Sequence, residues 1–293
     1  MSVIVKKEID KHEENGVVRK HIKYKFICKN CKKEGIYEYK YEGDEDLTYT
    51  YKKIIIIPCK HIMEKMTKMN FVTLDKLPVF KGKVHLVELT GDGFRFIAKF
   101  SDGHVVEFKP RESHSSGAPS QYYCNEEYHC TCGGKYEYYV REISTYTTMR
   151  NISIPCVHIN YLFDLEKKGV LHKFLSVNNK ISKYFPKLPE KIQEDVAKYL
   201  LKGAWVRVEE TNEFKLYLFD TETSIARRYC HVEIYPKPNS LETLEKWTSQ
   251  FGYGKKVLLK VDRPYLIFKH EHHSAPSEHH DSYEIIIVVP KQN

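Results

Sequence analysis

The sequence predicts an α+β protein made by tandem duplication: two hairpin-and-helix pieces, each followed by a β-rich module, and a C-terminal α+β module. Three observations predict it. A distinctive segment occurs twice, "IIIIPCKHI" at 54–62 and "ISIPCVHI" at 152–159, each a β-branched run stopped by proline and followed by Cys-x-His. Each copy is preceded by a close cysteine pair and a tyrosine-rich strand, "GIYEYKYE" or "GKYEYYVRE". Further matches extend the duplication: "KGKVHLVELTGDGF" (81–94) aligns with "KGAWVRVEETNEF" (202–214), and "FKPRESHSSGAPS" (108–120) with "FKHEHHSAPS" (268–277).

The elements divide the chain into a first finger-like piece at 1–70, a short antiparallel β-module at 71–119, a second finger at 120–163, a helical connector at 164–201 and an α+β module at 202–293. Hairpin turns are expected at "TGDG" and "SDG" in the first β-module. A helical stretch is expected over roughly 158–201, where Leu188, Ile192, Val196, Tyr199 and Leu200 share helical spacing and Gly203 stops it. Another is expected at 240–251, with Asn239 or Ser240 as cap, Glu242 in support and Gly252 at the end. Strands are expected at 204–210, 213–220, 229–235, 256–268 and 283–289.

The composition permits packed cores: 41% of residues are hydrophobic and 13% aromatic, which excludes global disorder. Lysine and glutamate are abundant and glutamine scarce, a bias shared by thermophile proteins and AT-rich genomes. The net charge of +8 allows an anionic partner. The longest apolar runs, Ile54 to Ile57 and Ile285 to Val289, fall far short of the ~20 residues of a membrane span. The opening "MSVIVKKEIDKHEENG" has no signal-peptide apolar stretch, so an intracellular (cytoplasmic) setting is expected, with cysteines that bind metal rather than form disulfides.

The cysteines then sort themselves. Cys28, Cys31, Cys59 and His61 form one set; Cys130, Cys132, Cys156 and His158 form the other. Each offers three thiolates and one imidazole, a complete tetrahedral set for a structural Zn2+ ion, and so two ions are expected. His129-x2-Cys132 matches the spacing of Cys28-x2-Cys31, so His129 could replace Cys130 as ligand. Cys124 and Cys230 lack partners at ligand spacing and read as small core residues.

The order of cysteine pair, strand, proline-stopped strand and Cys-x-His resembles the SWIM-type zinc finger, whose pattern is Cys-x-Cys followed by Cys-x-His in a ββα arrangement. The second copy matches that pattern, and the first departs from it with Cys-x2-Cys. The resemblance covers roughly residues 21–66 and 120–163, and it implies binding of DNA or protein.

Four filled positions leave no open coordination site for catalysis. No phosphate-cradling loop, nucleophile elbow or familiar acidic nuclease motif is present, so no enzyme is expected. The sole candidate catalytic region is the histidine-rich stretch 270–280, with His270, His272, His273, His279 and His280 beside Glu271, Glu278 and Asp281. Its counterpart keeps only Glu112 and His114, which favours a polar hairpin loop. Lys29, Lys32, Lys33, Lys52, Lys53 and Lys60 crowd the first set and are the candidate phosphate contacts. Tyr37, Tyr39 and Tyr41 alternate as one face of a strand, which suits core packing as well as base stacking. Nucleic acid, DNA ahead of RNA, is the expected partner; an archaeal or viral protein-interaction adaptor is the alternative.

Overall fold

The computed structural model describes residues 3–14, 17–43, 48–117, 120–143, 146–179, 181–183, 185–187, 190–203, 205–210, 214–220, 254–262, 265–273 and 281–290, the last four of these stretches and 205–210 as backbone. It is α+β: mostly one large β-sheet, with few helices. Two compact units divide it, Met1–Leu89 with Arg95–Phe174, and Thr90–Phe94 with Leu175–Asn293.

The first unit contains strands β1 (Val3–Glu14), β2 (Val17–Cys28), β3 (Glu34–Gly43) and β4 (Thr48–Ile56), then helix α1 (Lys60–Lys68). Strands β5 (Leu86–Gly91), β6 (Phe96–Phe100), β7 (Val105–Gly117), β8 (Ser120–Cys130), β9 (Lys135–Ile143) and β10 (Tyr146–Ile154) follow, then helix α2 (Val157–Lys167). Their sheet order is β1-β2-β3-β4-β10-β9-β8-β7-β6-β5. The repeated strand ends, β4 and β10, therefore lie side by side. They pair in parallel with corresponding residues opposite one another, Lys53 to Arg150 and Ile55 to Ile152.

Residues paired across strands share a face of the sheet. Tyr24, Tyr37, Ile55 and Ile152 form one such row across β2, β3, β4 and β10. Helix α1 covers that face: Ile62, Met63 and Met66 join Phe26, Cys28, Ile55, Ile57 and Ile154 in one buried cluster. Phe71 extends it, with ring centroids 4.5 Å from Tyr37 and 4.6 Å from Tyr24. Tyr128, Tyr136 and Ser153 form a row on the opposite face. There Phe163 of α2 meets Tyr128 at 5.0 Å and Tyr136 at 5.2 Å. The cause is a one-residue slip. Tyr37 pairs with Ile55 in the first copy, whereas Glu137, not Tyr136, pairs with Ile152 in the second. A slip of one exchanges the faces of every side chain. The two helices, and the cysteines Cys28 and Cys130 two residues beyond Phe26 and Tyr128, accordingly lie on opposite faces.

In the second unit, strand β11 (Leu175–Val177) and helix α3 (Glu190–Leu201) precede β12 (Trp205–Glu210), β13 (Phe214–Asp220), β14 (Gly254–Asp262), β15 (Tyr265–His273) and β16 (Asp281–Pro290). The last five form an antiparallel sheet in the order β12-β13-β16-β15-β14. Thr90 and Gly91, the end of β5, belong to this unit, where the Asn178 amide donates to the Gly91 carbonyl at 3.0 Å.

Two sequence expectations change, and one stretch to which no element was assigned gains one. The helical stretch 158–201 is interrupted: α2 ends before Gly169, whose φ of +67° suits a glycine stop, and 3-10 turns and β11 precede α3. The strand expected at 256–268 is instead an antiparallel pair, β14 with β15. The charged opening of the chain, in which no strand was legible, forms the β1–β2 hairpin. The expected helix 240–251, the strand 229–235, Cys230 and residues 274–280 lie outside the described residues; His270, His272 and His273 lie on β15, and His114 on β7.

Candidate metal centres

Each Cys/His set is assembled from the turn between two strands and the first turn of the helix that follows them. In the second set, the Gly133 amide donates to the Cys130 carbonyl at 2.9 Å and the Cys130 amide to the Gly134 carbonyl at 2.8 Å. Gly133 has φ +95°, and a Cβ on Gly134 would strike the Cys156 sulfur, so both glycines are required by position. In the first set the Lys32 amide donates to the Cys28 carbonyl at 2.9 Å and the Cys28 amide to the Lys33 carbonyl at 3.0 Å. Lys32 takes the left-handed position, with φ +58°. Both turns thus place a left-handed residue directly after the second cysteine. The extra residue of Cys-x2-Cys is absorbed inside the turn.

Cys59 and Cys156 are the N-cap residues of α1 and α2, in extended conformation after Pro58 and Pro155. His61 and His158 follow in the first helical turn. The amides of Ile62 and Ile159 favour the thiolate forms of Cys59 and Cys156, as expected at a helix N-terminus.

The ligand atoms of Cys130, Cys132, Cys156 and His158 all lie within 4.8 Å of one another, and so do those of Cys28, Cys59 and His61. Nδ1 of His158 is 3.5 Å from the Cys130 sulfur and 3.6 Å from that of Cys132. In the first set, Nδ1 of His61 is 3.7 Å from the Cys28 sulfur. A tetrahedral zinc with usual Zn–S and Zn–N bonds holds sulfur and nitrogen about 3.6 Å apart. The second set fits that ion with four residues, and the first with three, Cys28, Cys59 and His61. Cys31, the remaining sequence-predicted ligand, is exposed and lies outside this tighter group.

The imidazoles are oriented from behind. Nε2 of His158 stands 2.8 Å from a carboxylate oxygen of Asp102, leaving Nδ1 to face the sulfurs. This carboxylate–imidazole pairing is the outer contact that fixes a metal-binding histidine in one tautomer. Asp102 sits in the β6–β7 turn, where its other oxygen accepts from the His104 amide at 3.3 Å. Sequence reasoning saw "SDG" only as a turn; nothing in the chain signals a contact across 56 positions. His61 meets instead the amide of Asn30, 3.2 Å from its Nε2. His129, the alternative ligand, points to the other side of β8 and pairs with Glu137 at 3.5 Å.

Within each set the thiols share charge unequally. Hydrogen bonding from the Cys31 amide lowers Cys28 to about 7, against the opposing effect of burial. Burial pushes Cys59 up to about 11. Cys132 is held far below the usual thiol range by hydrogen bonds from Cys130 and Cys156. Cys130 is raised correspondingly as their donor. Cys130 also favours the Cys156 thiolate, but the Cys132 thiolate and burial outweigh it and leave Cys156 at about 11. Without metal, Cys130, Cys156 and Cys59 therefore keep their protons at neutral pH, and metal binding must expel them. Asp102 is held at about 2, chiefly by its hydrogen bond with His158.

The six candidate lysines fall into two groups. Lys52 is committed to the buried carboxylate of Glu38, 2.8 Å away, which Lys23 at 3.7 Å and His21 at 3.2 Å also face. Burial alone would raise Glu38, but the Lys52 hydrogen bond and these charges outweigh it and hold the carboxyl below its ordinary value. Lys60 approaches Glu64 at 3.8 Å, and Lys53 is partly buried on β4. Lys29, Lys32 and Lys33 are exposed on the β2–β3 turn. Among the described residues none of these three has a carboxylate within ion-pair distance. Lys33 reaches the Pro58 carbonyl at 3.5 Å. Tyr37 belongs to the core beneath Phe71, and Cys124 is buried with the Arg111 guanidinium 3.2 Å from its sulfur.

Comparison with protein families, with curated proteins and with solved structures finds no match to this chain. The functional reading therefore stands on the residues themselves.

Proposed function

We propose that this chain is a non-catalytic zinc protein of tandem SWIM type, holding two structural ions, that binds nucleic acid, DNA ahead of RNA, through the exposed turn of its first Cys/His set. The ions would be held by Cys28, Cys31, Cys59 and His61 on one face of the sheet, and by Cys130, Cys132, Cys156 and His158 on the other. The observation that carries the nucleic-acid reading is the state of Lys29, Lys32 and Lys33. They are exposed on one turn and, among the described residues, free of carboxylate partners, while Lys52 and Lys60 are engaged with Glu38 and Glu64. Cations of that kind can replace the counterions of a phosphate backbone.

Two measurements test the reading. Elemental analysis of the purified chain is expected to return two zinc equivalents, and one or fewer refutes the two-ion assignment. Fluorescence anisotropy with short DNA and RNA probes across a salt series is expected to show affinity falling by roughly 0.9 log units per log unit of salt for each phosphate neutralised on duplex DNA. Replacing Lys29, Lys32 and Lys33 by glutamine should flatten that slope by up to about three contacts. Absence of binding at low salt discards nucleic acid and leaves a protein partner for this surface.

A further inference from the structure

The two Cys/His sets differ in how their sulfurs are enclosed. In the second, Cys130, Cys132 and Cys156 are 8%, 5% and 0% exposed, and His158 is fully buried against Asp102. In the first, Cys28 alone is sealed; Cys31 is exposed and Cys59 partly so. His61 is backed by the exposed, neutral Asn30 rather than by a carboxylate. Cys31 also has a resolving partner built in. Cys28 and Cys31 share one tight turn, closed by the Lys32 amide on the Cys28 carbonyl at 2.9 Å, at the Cys-x2-Cys spacing of dithiol pairs.

We propose that the first metal centre is a peroxide-sensitive switch in which Cys31 is the sulfur attacked and Cys28 the sulfur that resolves it, while the second centre is a permanent structural site. The proposal rests on the two-zinc reading above. The Cys31 thiolate attacks one oxygen of hydrogen peroxide. The O–O bond breaks, and the departing hydroxide takes a proton to become water. The Cys28 thiolate then attacks the sulfur of the resulting sulfenic acid, forming the S–S bond and breaking the S–O bond, and a second hydroxide leaves and is protonated. Two electrons pass from the two sulfurs to peroxide, which supplies the only oxidant. With two of its four ligands joined to each other, the centre keeps only Cys59 and His61, too few to hold a structural ion. At the second centre all three cysteines are buried, which disfavours the first attack.

The test uses the full chain loaded with two zinc equivalents. It is treated with hydrogen peroxide while released zinc is followed with a metallochromic chelator too weak to strip the intact protein. One equivalent should leave, with the second lost at least about tenfold more slowly, and peptide mapping should find a Cys28–Cys31 cross-link. Dithiothreitol with added zinc should restore the equivalent that left. Cys31→His keeps a nitrogen ligand but removes the reactive thiol, so it should retain its zinc under peroxide. If this variant fails to load, the cross-link map of the parent chain decides. Simultaneous release of both equivalents, or a cross-link involving Cys130, Cys132 or Cys156 instead, overturns the proposal. A chain that never carries two zinc equivalents refutes the two-ion reading itself, a result distinct from two equally reactive ions.

Discussion

Replacing Asp102 by alanine isolates the contribution of an outer contact to one metal centre while leaving the other as an internal control. The Asp102 carboxylate is 2.8 Å from Nε2 of His158, whose side chain is fully buried. Truncation leaves that N–H facing the space where its acceptor was and frees the ring to change tautomer. Loss of such a contact typically weakens metal binding by about 10–100-fold, equivalent to about 1.4–2.8 kcal/mol. Asp102 is itself partly exposed, 36% at the side chain, so solvent competes for the hydrogen bond and the lower half of that range is expected. Asp102→Asn keeps one of the two acceptor oxygens, for either His158 or the His104 amide, and should lose less than the alanine. The assay is zinc competition with chelators of graded affinity, resolving the two ions in one titration. The second centre should weaken in Asp102→Ala while the first is unchanged. Equal zinc affinity in parent and variant refutes the positioning role. So does a lower melting temperature of the same size with and without zinc, because that result assigns Asp102 to the β6–β7 turn alone.

Two further substitutions probe the frame around the centres. Lys32→Gly removes a side chain from a left-handed position, with φ +58°, and should stabilise the folded chain by up to about 1 kcal/mol. Calorimetry should then show a rise of about 2–4 °C in Tm, and a fall instead would mean that the Lys32 charge itself supports the thiolates. Lys52→Met strips the closest cation from buried Glu38, at a cost of about 1–3 kcal/mol at neutral pH. The folded carboxyl of Glu38 lies below its ordinary value of 4.5, so its contribution is present above that pH and disappears as pH falls through the lower folded value. Urea melts of variant and parent should therefore converge on acidification below pH 4.5, and a gap that stays constant from neutral pH down to about pH 2 would show that Glu38 ionisation is not involved.

What the sequence determined by itself is local chemistry. Candidate metal ligands at short spacing declare themselves because their geometry is set by a few bonds: Cys130 with Cys132, and Cys-x-His at a proline-led helix start, fall where the chain alone can place them, whereas Cys31 lies outside the group its spacing with Cys28 suggested. Proline at 58 and 155 ends each strand for the same local reason. Tertiary structure decided what depends on which face a side chain takes. His129 and Cys130 are neighbours on one strand, and the pleat sends only one of them toward Cys132 and Cys156. The repeat announced two similar pieces, but the parallel pairing of β4 with β10 joins them in one sheet. A one-residue slip at β9 sends their helices to opposite faces, although the two segments are nearly the same in sequence. Asp102 and Glu38 escaped notice because a carboxylate in a turn or strand reads as solvated until the fold supplies its partner. Pairing between residues far apart in the chain carries no periodicity for a sequence to display, and that is why these contacts belong to the tertiary structure alone.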